Sequence, residues 1–333
     1  MLPLRTLWAG RDEIDLRFIA SSSLVVAVLV GDGHIGRGFV RVWRSLDLGR
    51  ILRTRSAWLD AFIFVANIGF FGALVTAVVS FTPSATSAGR HAAAAATFWT
   101  DGPVISRVAA GVVLTLLVLV LADLTFYATH RLMHRVPFLW AFHKVHHSAT
   151  ELYPLTAYRG HPGQVAFAAV FAGIAPTFAT GAMVELGGPG VASMRFLGGN
   201  AAIGLLFLFG AVYRHSRVWV MFPGALRNVI HSPAHHQIHH SADPADFNAN
   251  YSGFLLIWDR LFGTFRDPTG RPAPERFGID DPRVERIHSN PIGVFVYPFV
   301  DAVRTLVPSR ASAGDRATRP PLARRLRLPY ARP

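Results

Sequence analysis

Eight histidines in three closely spaced sets are the residues in this chain whose type and spacing point to chemistry. They lie in HRLMH (130–134), HKVHH (143–147) and HHQIHH (235–240). His130 and His134 stand four apart. His143, His146 and His147 follow an i, i+3, i+4 spacing that puts three imidazoles on one helical face, and His236, His239 and His240 repeat it. Neutral imidazole is a borderline ligand suited to iron, zinc or copper. Packing eight imidazoles together without a metal would leave many polar nitrogens in need of partners. One ion offers at most about six positions, so eight or more donors imply two ions.

The chain has no cysteine, which removes thiolate zinc sites, iron–sulfur clusters, disulfides and cysteine nucleophiles together. The H-E-x-x-H protease signature is absent. The only E-x-x-H, Glu285 to His288, lies far from the clusters, so the soluble di-iron pattern is not met. An all-imidazole dinuclear centre without thiolates suits iron and oxygen chemistry best.

The elements that must carry these residues can also be read. Asp123, Tyr127, His130 and His134 fall at i, i+4, i+7 and i+11, one face of a helix. Pro137 ends that helix, and a new one carries the second set. Ser232 and Pro233 suit the N-cap and first turn of a helix bearing the third.

Hydrophobic residues make up 51% of the chain, charged residues only 16%, and mean hydropathy is +0.33. Soluble domains carry about 25% charged residues, so this balance predicts a membrane protein. Four spans are expected, at 58–79, about 104–122, about 164–182 and 196–213, with an Ala/Ser/Thr/Pro-rich loop at 80–103. The net charge of +13 sits in arginine blocks between apolar runs and shows no basic surface interleaved with aromatics, which argues against nucleic acid. The loops at 37–55, 131–159 and after 213 are basic, so the positive-inside rule places them, both termini and the clustered histidines in the cytoplasm. The run 24–30 is short for a span. The GDGHIG that follows it (31–36) formally matches a dinucleotide fingerprint but leaves no room for βαβ units, so it reads as a glycine-rich turn after a half-buried or interfacial segment.

The fold class expected is therefore an all-α integral membrane protein, with about four transmembrane helices and a cytoplasmic helical cap holding a histidine-ligated dimetal site. Its parts are an N-terminal cytoplasmic or interfacial segment (1–57), a membrane domain with its cap (58–307) and a basic disordered tail (308–333) with seven Arg against one Asp.

At this point the chain resembles the fatty acid hydroxylase superfamily, also called the sterol desaturase family, of membrane di-iron oxygenases. The three boxes H-x-x-x-H, H-x-x-H-H and H-x-x-H-H match 130–134, 143–147 and 236–240, preceded by Asp123 and Tyr127. The family's R-x-H-P stands at 159–162, its extra mid-chain histidine at His215, and NYSGFLLIWDRLFGT (250–264) is close to its N-Y-G…W-D-R-x-F-G-T segment. The resemblance covers roughly 110–300.

It implies a metal ligand set of His130, His134, His143, His146, His147, His161, His215, His236, His239 and His240, holding two irons. Asp123 and Tyr127 would support the ligands from behind, Asp123 by orienting a histidine. His235 replaces a residue usually apolar or aromatic in the family, and His231 is additional; exposed or structural roles are expected for both. Asn250, Tyr251, Trp258 and Asp259 are expected to brace the cap. His161-Pro-Gly also resembles the haem-binding motif of small cytochromes, but a membrane span follows at once, which argues against haem there.

The implied reaction is O2-dependent hydroxylation of a C–H bond in a fatty acyl or sterol-like membrane lipid. No flavin, haem or iron–sulfur module is visible, so the electrons would come from a separate ferredoxin- or cytochrome-type protein with its reductase. The implied location is a bacterial inner membrane. The alternatives are desaturation or demethylation by the same centre, and a non-enzymatic membrane protein that binds or transports metal.

Overall fold

The computed structural model describes residues 16–97, 102–196, 199–209, 211–288 and 290–306. The basic tail at 308–333 and the first fifteen residues lie outside this set. Helix α1 (Leu16–Val30) is followed by α2 (Ile35–Leu46) and a single turn, α3 (Leu48–Ile51). The chain bends by 99° between α1 and α2. The bend falls at the GDGHIG segment, where Asp32 and Gly33 take φ of 51° and 82° and Gly38 lies against the Ala27 carbonyl. It is a turn between two helices, and the element that leads into it is the helix Leu16–Val30 and not a strand.

Helix α4 (Arg55–Ala96) starts at Thr54, whose hydroxyl accepts from Ala57 N at 3.2 Å. It spans 42 residues, about 63 Å. It therefore runs through most of the segment expected as a loop at 80–103, where the alanines favour helix and the helix continues through Pro83 and Gly89. Helix α5 (Arg107–Arg135) is capped by Ser106, and Pro137 opens α6 (Pro137–His147) after the one-residue break at Val136. Helix α7 (Pro162–Gly187) packs against both α4 and α5. A Cβ on Gly89 would stand 2.0 Å from the Phe178 carbonyl oxygen, and one on Gly181 would stand 2.0 Å from that of Thr86. The two backbones touch because these positions lack side chains, a common solution where helices meet in lipid.

Among the described residues, α5 and α7 are long and apolar enough to cross a membrane, and the bent pair at 22–51 makes a third if counted as one span. The outer face of α5 presents Val108, Val112, Leu116 and Val120, while Asp123, Tyr127, His130 and His134 face inward and are buried.

The fourth expected span, 196–213, is not one helix. It comprises a two-residue hairpin, β1 (Arg195–Phe196) with β2 (Gly199–Asn200), and the eight-residue helix α8 (Ala201–Leu208). Eight residues rise about 12 Å, under half of the roughly 30 Å of a bilayer core. The chain nevertheless travels back beside α5. Leu186 O accepts from Val104 N and Ile105 N, Met194 N donates to Thr115 Oγ1 at 2.7 Å, and Phe209 packs with Phe254 in a cluster that Leu119 of α5 also joins. The interval from Ile105 to Leu119 is about 21 Å of helix. Irregular backbone at that depth is tolerated where protein covers it.

The cap follows, with α9 (Pro233–His239), α10 (Ile257–Leu261), α11 (Pro282–His288) and α12 (Pro291–Leu306). Helix α12 packs against α6.

Candidate metal centre

Two groups of histidines converge where α5 meets the cap. His130, His134, His143, His147 and His239 form one, and His146, His215, His236 and His240 the other. Within each group, one ring nitrogen per residue lies within 4.8 Å of every other. All nine are buried, and neither group includes a carboxylate. The i, i+3, i+4 spacing is what divides them: α6 sends His143 and His147 to the first group and His146 to the second, while α9 and its C-cap send His239 to the first and His236 and His240 to the second.

The Nε2 atoms of His134 and His143 are 3.1 Å apart; those of His146 and His215 are 3.1 Å apart, and those of His215 and His236 are 2.9 Å apart. Two nitrogens at right angles about one ion, each near 2.1 Å from it, would stand about 3 Å apart. The Nε2 atoms of His239 and His240 are buried with no hydrogen-bond partner. A buried nitrogen without a partner is costly unless something coordinates it. The donor set therefore fits two nitrogen-ligated metal ions.

Protonation points the same way. Burial, reinforced by neighbouring imidazoles, holds His143, His147, His215, His236, His239 and His240 well below the ordinary histidine range. His146 is pushed down to about 3, mainly by burial. These rings are neutral at physiological pH, the form that binds metal.

Backbone carbonyls set two tautomers. His130 Nδ1 donates to Tyr251 O and His239 Nδ1 donates to Ala249 O, both at 2.8 Å, which leaves Nε2 of each ring as the donor to a metal. The segment 249–252 that supplies them is itself clamped. Asp259 accepts from Tyr251 N, Ser252 N and the Thr264 hydroxyl at 2.7–2.9 Å. Asn250 holds Arg266 N and the carbonyls of His235 and Arg266. Neither carbonyl clamp was visible in the sequence, because a backbone acceptor has no residue signature. The related signal was the NYSG…WDR segment, whose expected bracing role these contacts describe.

The remaining candidate residues sit around this framework. Asp123 orients no histidine: its carboxylate accepts from Phe254 N, Leu255 N and Trp258 Nε1 at 2.6–3.0 Å, fastening the bracing segment to α5. Tyr127 is 3.0 Å from the Thr264 hydroxyl and joins the Asp259 network. His161 stands outside both groups. It caps α7, its Nδ1 accepting from Gly163 N, and its Nε2 donates to Phe295 O at 3.0 Å. His235 is fully buried and caps α9, with Nδ1 accepting from Ser232 N and lying 2.7 Å from the Ser232 hydroxyl. His231 is also fully buried, beside His236, with no hydrogen bond from either ring nitrogen.

Buried Arg159 anchors the C-terminal end of α6. It donates to Val145 O, to the Ser148 hydroxyl and to Asp60 of α4. Trp140 lies against His134 and His147, and Tyr251 against His130, His134 and His239, walling the first group with aromatic rings.

Fold and site together define a helical protein with apolar spans and a buried, paired polyhistidine centre. Residues 115–264, which contain all nine grouped histidines, match the fatty acid hydroxylase family model. The chain is 33% identical over 183 residues to an ornithine lipid hydroxylase of Rhizobium tropici, covering 55% of this chain and 48% of the relative. It is 35% identical over 144 residues to alkylglycerol monooxygenase of Danio rerio, covering 43% and 28%. With human cholesterol 25-hydroxylase it shares 27% over 159 residues, covering 44% and 49%. It thus spans about half or less of the length of these relatives. No solved structure matches it.

Proposed function

We propose that this protein is a membrane-bound, O2-dependent lipid hydroxylase whose nine grouped histidines hold two iron ions. The observation that carries the reading is the division of nine buried imidazoles into sets of five and four. Each set is smaller than six, so positions remain for exogenous ligands. The names of the relatives, hydroxylases and monooxygenases of ornithine lipid, alkylglycerol and cholesterol, support an oxygenation of lipid carbon. Iron bound there would supply O2 activation, with the balance RH + O2 + 2 e⁻ + 2 H⁺ → ROH + H2O.

The chain's own residues do the rest. The Tyr251 and Ala249 carbonyls keep the protons of His130 and His239 on Nδ1 and aim both Nε2 atoms inward. Trp140 and Tyr251 keep water from the first group. Arg159 fixes the end of the helix that feeds both groups. A separate ferredoxin- or cytochrome-type protein would deliver the two electrons. The arginines of 37–55, on the side of the cap, support a cytoplasmic cap at a bacterial inner membrane. The substrate would be a fatty acyl or sterol-like lipid entering from the bilayer.

The test is turnover of membrane lipid extract under 18O2 with an external reductant. A lipid product carrying one 18O atom is expected. A product that has lost two hydrogens without gaining oxygen would assign the centre to desaturation instead.

A further inference from the structure

Helix α12 exposes a continuous apolar stripe. Ile292, Val296, Phe299, Val303 and Leu306 recur at steps of four and three, one face of a helix, and are 51–74% exposed. Its opposite face is apolar too: Gly293, Val294, Pro298 and Ala302 are buried, and Val294 packs with Leu59 and Ile63 of α4. Apart from Asp301, Arg304 and Thr305 near its end, the helix is apolar on both faces, which suits a protein core or lipid, and this one has a core on one side only.

The stripe continues onto α4. Phe295 meets Phe62 edge-on at 6.1 Å, and Trp58, Phe62 and Val65 of α4 are themselves 45–69% exposed, at the start of the apolar run 58–79. Asp301 of α12 is turned inward to pair with Lys144. The chain beyond α12 carries seven Arg against one Asp over 308–333.

A second helix repeats the design. In α2, Ile35, Phe39 and Trp43 form an exposed row at steps of four, flanked by Arg37, Arg41 and Arg44, with no acidic residue within the helix. The 99° bend lays α2 across the direction of α1, and Val42 of α2 packs with Val26 of α1 and Tyr213 next to the cap.

We propose that α2 and α12 are interfacial helices of an anionic bilayer leaflet. Their apolar rows sit among acyl chains, and the arginines of α2 bind acidic headgroups. Because α12 also packs on α6 and its Phe295 carbonyl holds His161, the leaflet is mechanically joined to the helix that supplies three grouped histidines.

The absence of cysteine makes the test direct. Single-cysteine variants of the full chain, Val296→Cys, Val303→Cys and Phe39→Cys, are labelled with a fluorophore in phosphatidylglycerol vesicles. Leu116→Cys on α5 marks a span and Glu275→Cys marks the cap. Brominated acyl chains are expected to quench the labels at 296, 303 and 39 several-fold more than iodide does, as at 116 and opposite to 275. With phosphatidylcholine, or with R37Q, R41Q and R44Q combined, the label at 39 should shift toward iodide. Iodide quenching at 296 and 303 while 116 stays lipid-quenched would overturn the proposal and leave the span reading intact. Quenching by neither agent would also overturn it, because protein would then cover the stripe. These readouts do not depend on metal or turnover, so they stand apart from the oxygenase reading.

Discussion

The two histidine groups share ligand type and burial but differ in what holds them. The first is rooted in α5 through His130 and His134, and two of its rings are fixed by backbone carbonyls of a segment that Asp259 and Asn250 clamp. The second draws on α6, the turn at His215 and α9, with no residue from α5, and its rings pack against one another and against imidazoles of the first group. A site set by a braced backbone is preorganised before metal arrives; one set by mutual contact of rings is more dependent on the metal itself. The pair therefore reads as one firmly built and one more adaptable half.

The strongest way to break this comparison is to remove a ligand from each half. His239→Ala and His240→Ala should each abolish lipid oxidation, a loss beyond the roughly 10–100-fold that follows removal of an outer hydrogen-bond partner. Product quantification by mass spectrometry checks this; wild-type rates in either variant would refute a shared two-ion centre. Next in size is Asp259→Asn, which loosens the carbonyl that aims His130. Metal affinity should fall about 10–100-fold at the first group and little at the second, as read by competition with a chromophoric chelator. A smaller effect separates the halves without mutation. Timed chelation of the native protein should be biphasic, with the faster phase belonging to the second group and eliminated in His240→Ala.

The sequence revealed the grouped histidines more readily than their supports. The i, i+3, i+4 spacings, the break at Pro137 and the Ser232 cap are local rules, and the helices they predicted are present with eight of the boxed histidines grouped. His215 joined that set through the family resemblance alone. His161 matched a motif just as well, yet it serves as a helix cap, because a cap and a ligand can look alike in one dimension. Asp123 was misassigned for a related reason: its position on the histidine face was legible, but its partners lie more than 130 residues away. Composition also misjudged the return segment at 196–213, where hydropathy reports depth but not whether the backbone is helical.

The smallest predicted effect concerns a histidine outside both groups. His288 is buried at the end of α11, and burial, with Lys144 and Arg159 nearby, pushes its pKa down to about 3 from an ordinary 6.5. The fold thus favours the neutral ring, so its contribution is intact above about pH 6.5. It declines by roughly 1.4 kcal/mol per pH unit below that as the unfolded chain takes up a proton the folded one refuses. Metal-free His288→Gln protein should lose about one proton from the pH dependence of its unfolding between about pH 6.5 and 4.5 relative to the metal-free parent. An unchanged slope would show that His288 is not held neutral.

The most direct measurement is metal stoichiometry by elemental analysis of protein purified with its native metal. The parent is predicted to carry two irons per chain, and His239→Ala and His240→Ala to retain about one each, the survivor lying in the intact group. Two irons retained in both variants, or a parent that oxidises lipid with no iron bound, would contradict the assignment of the nine histidines to a paired iron centre.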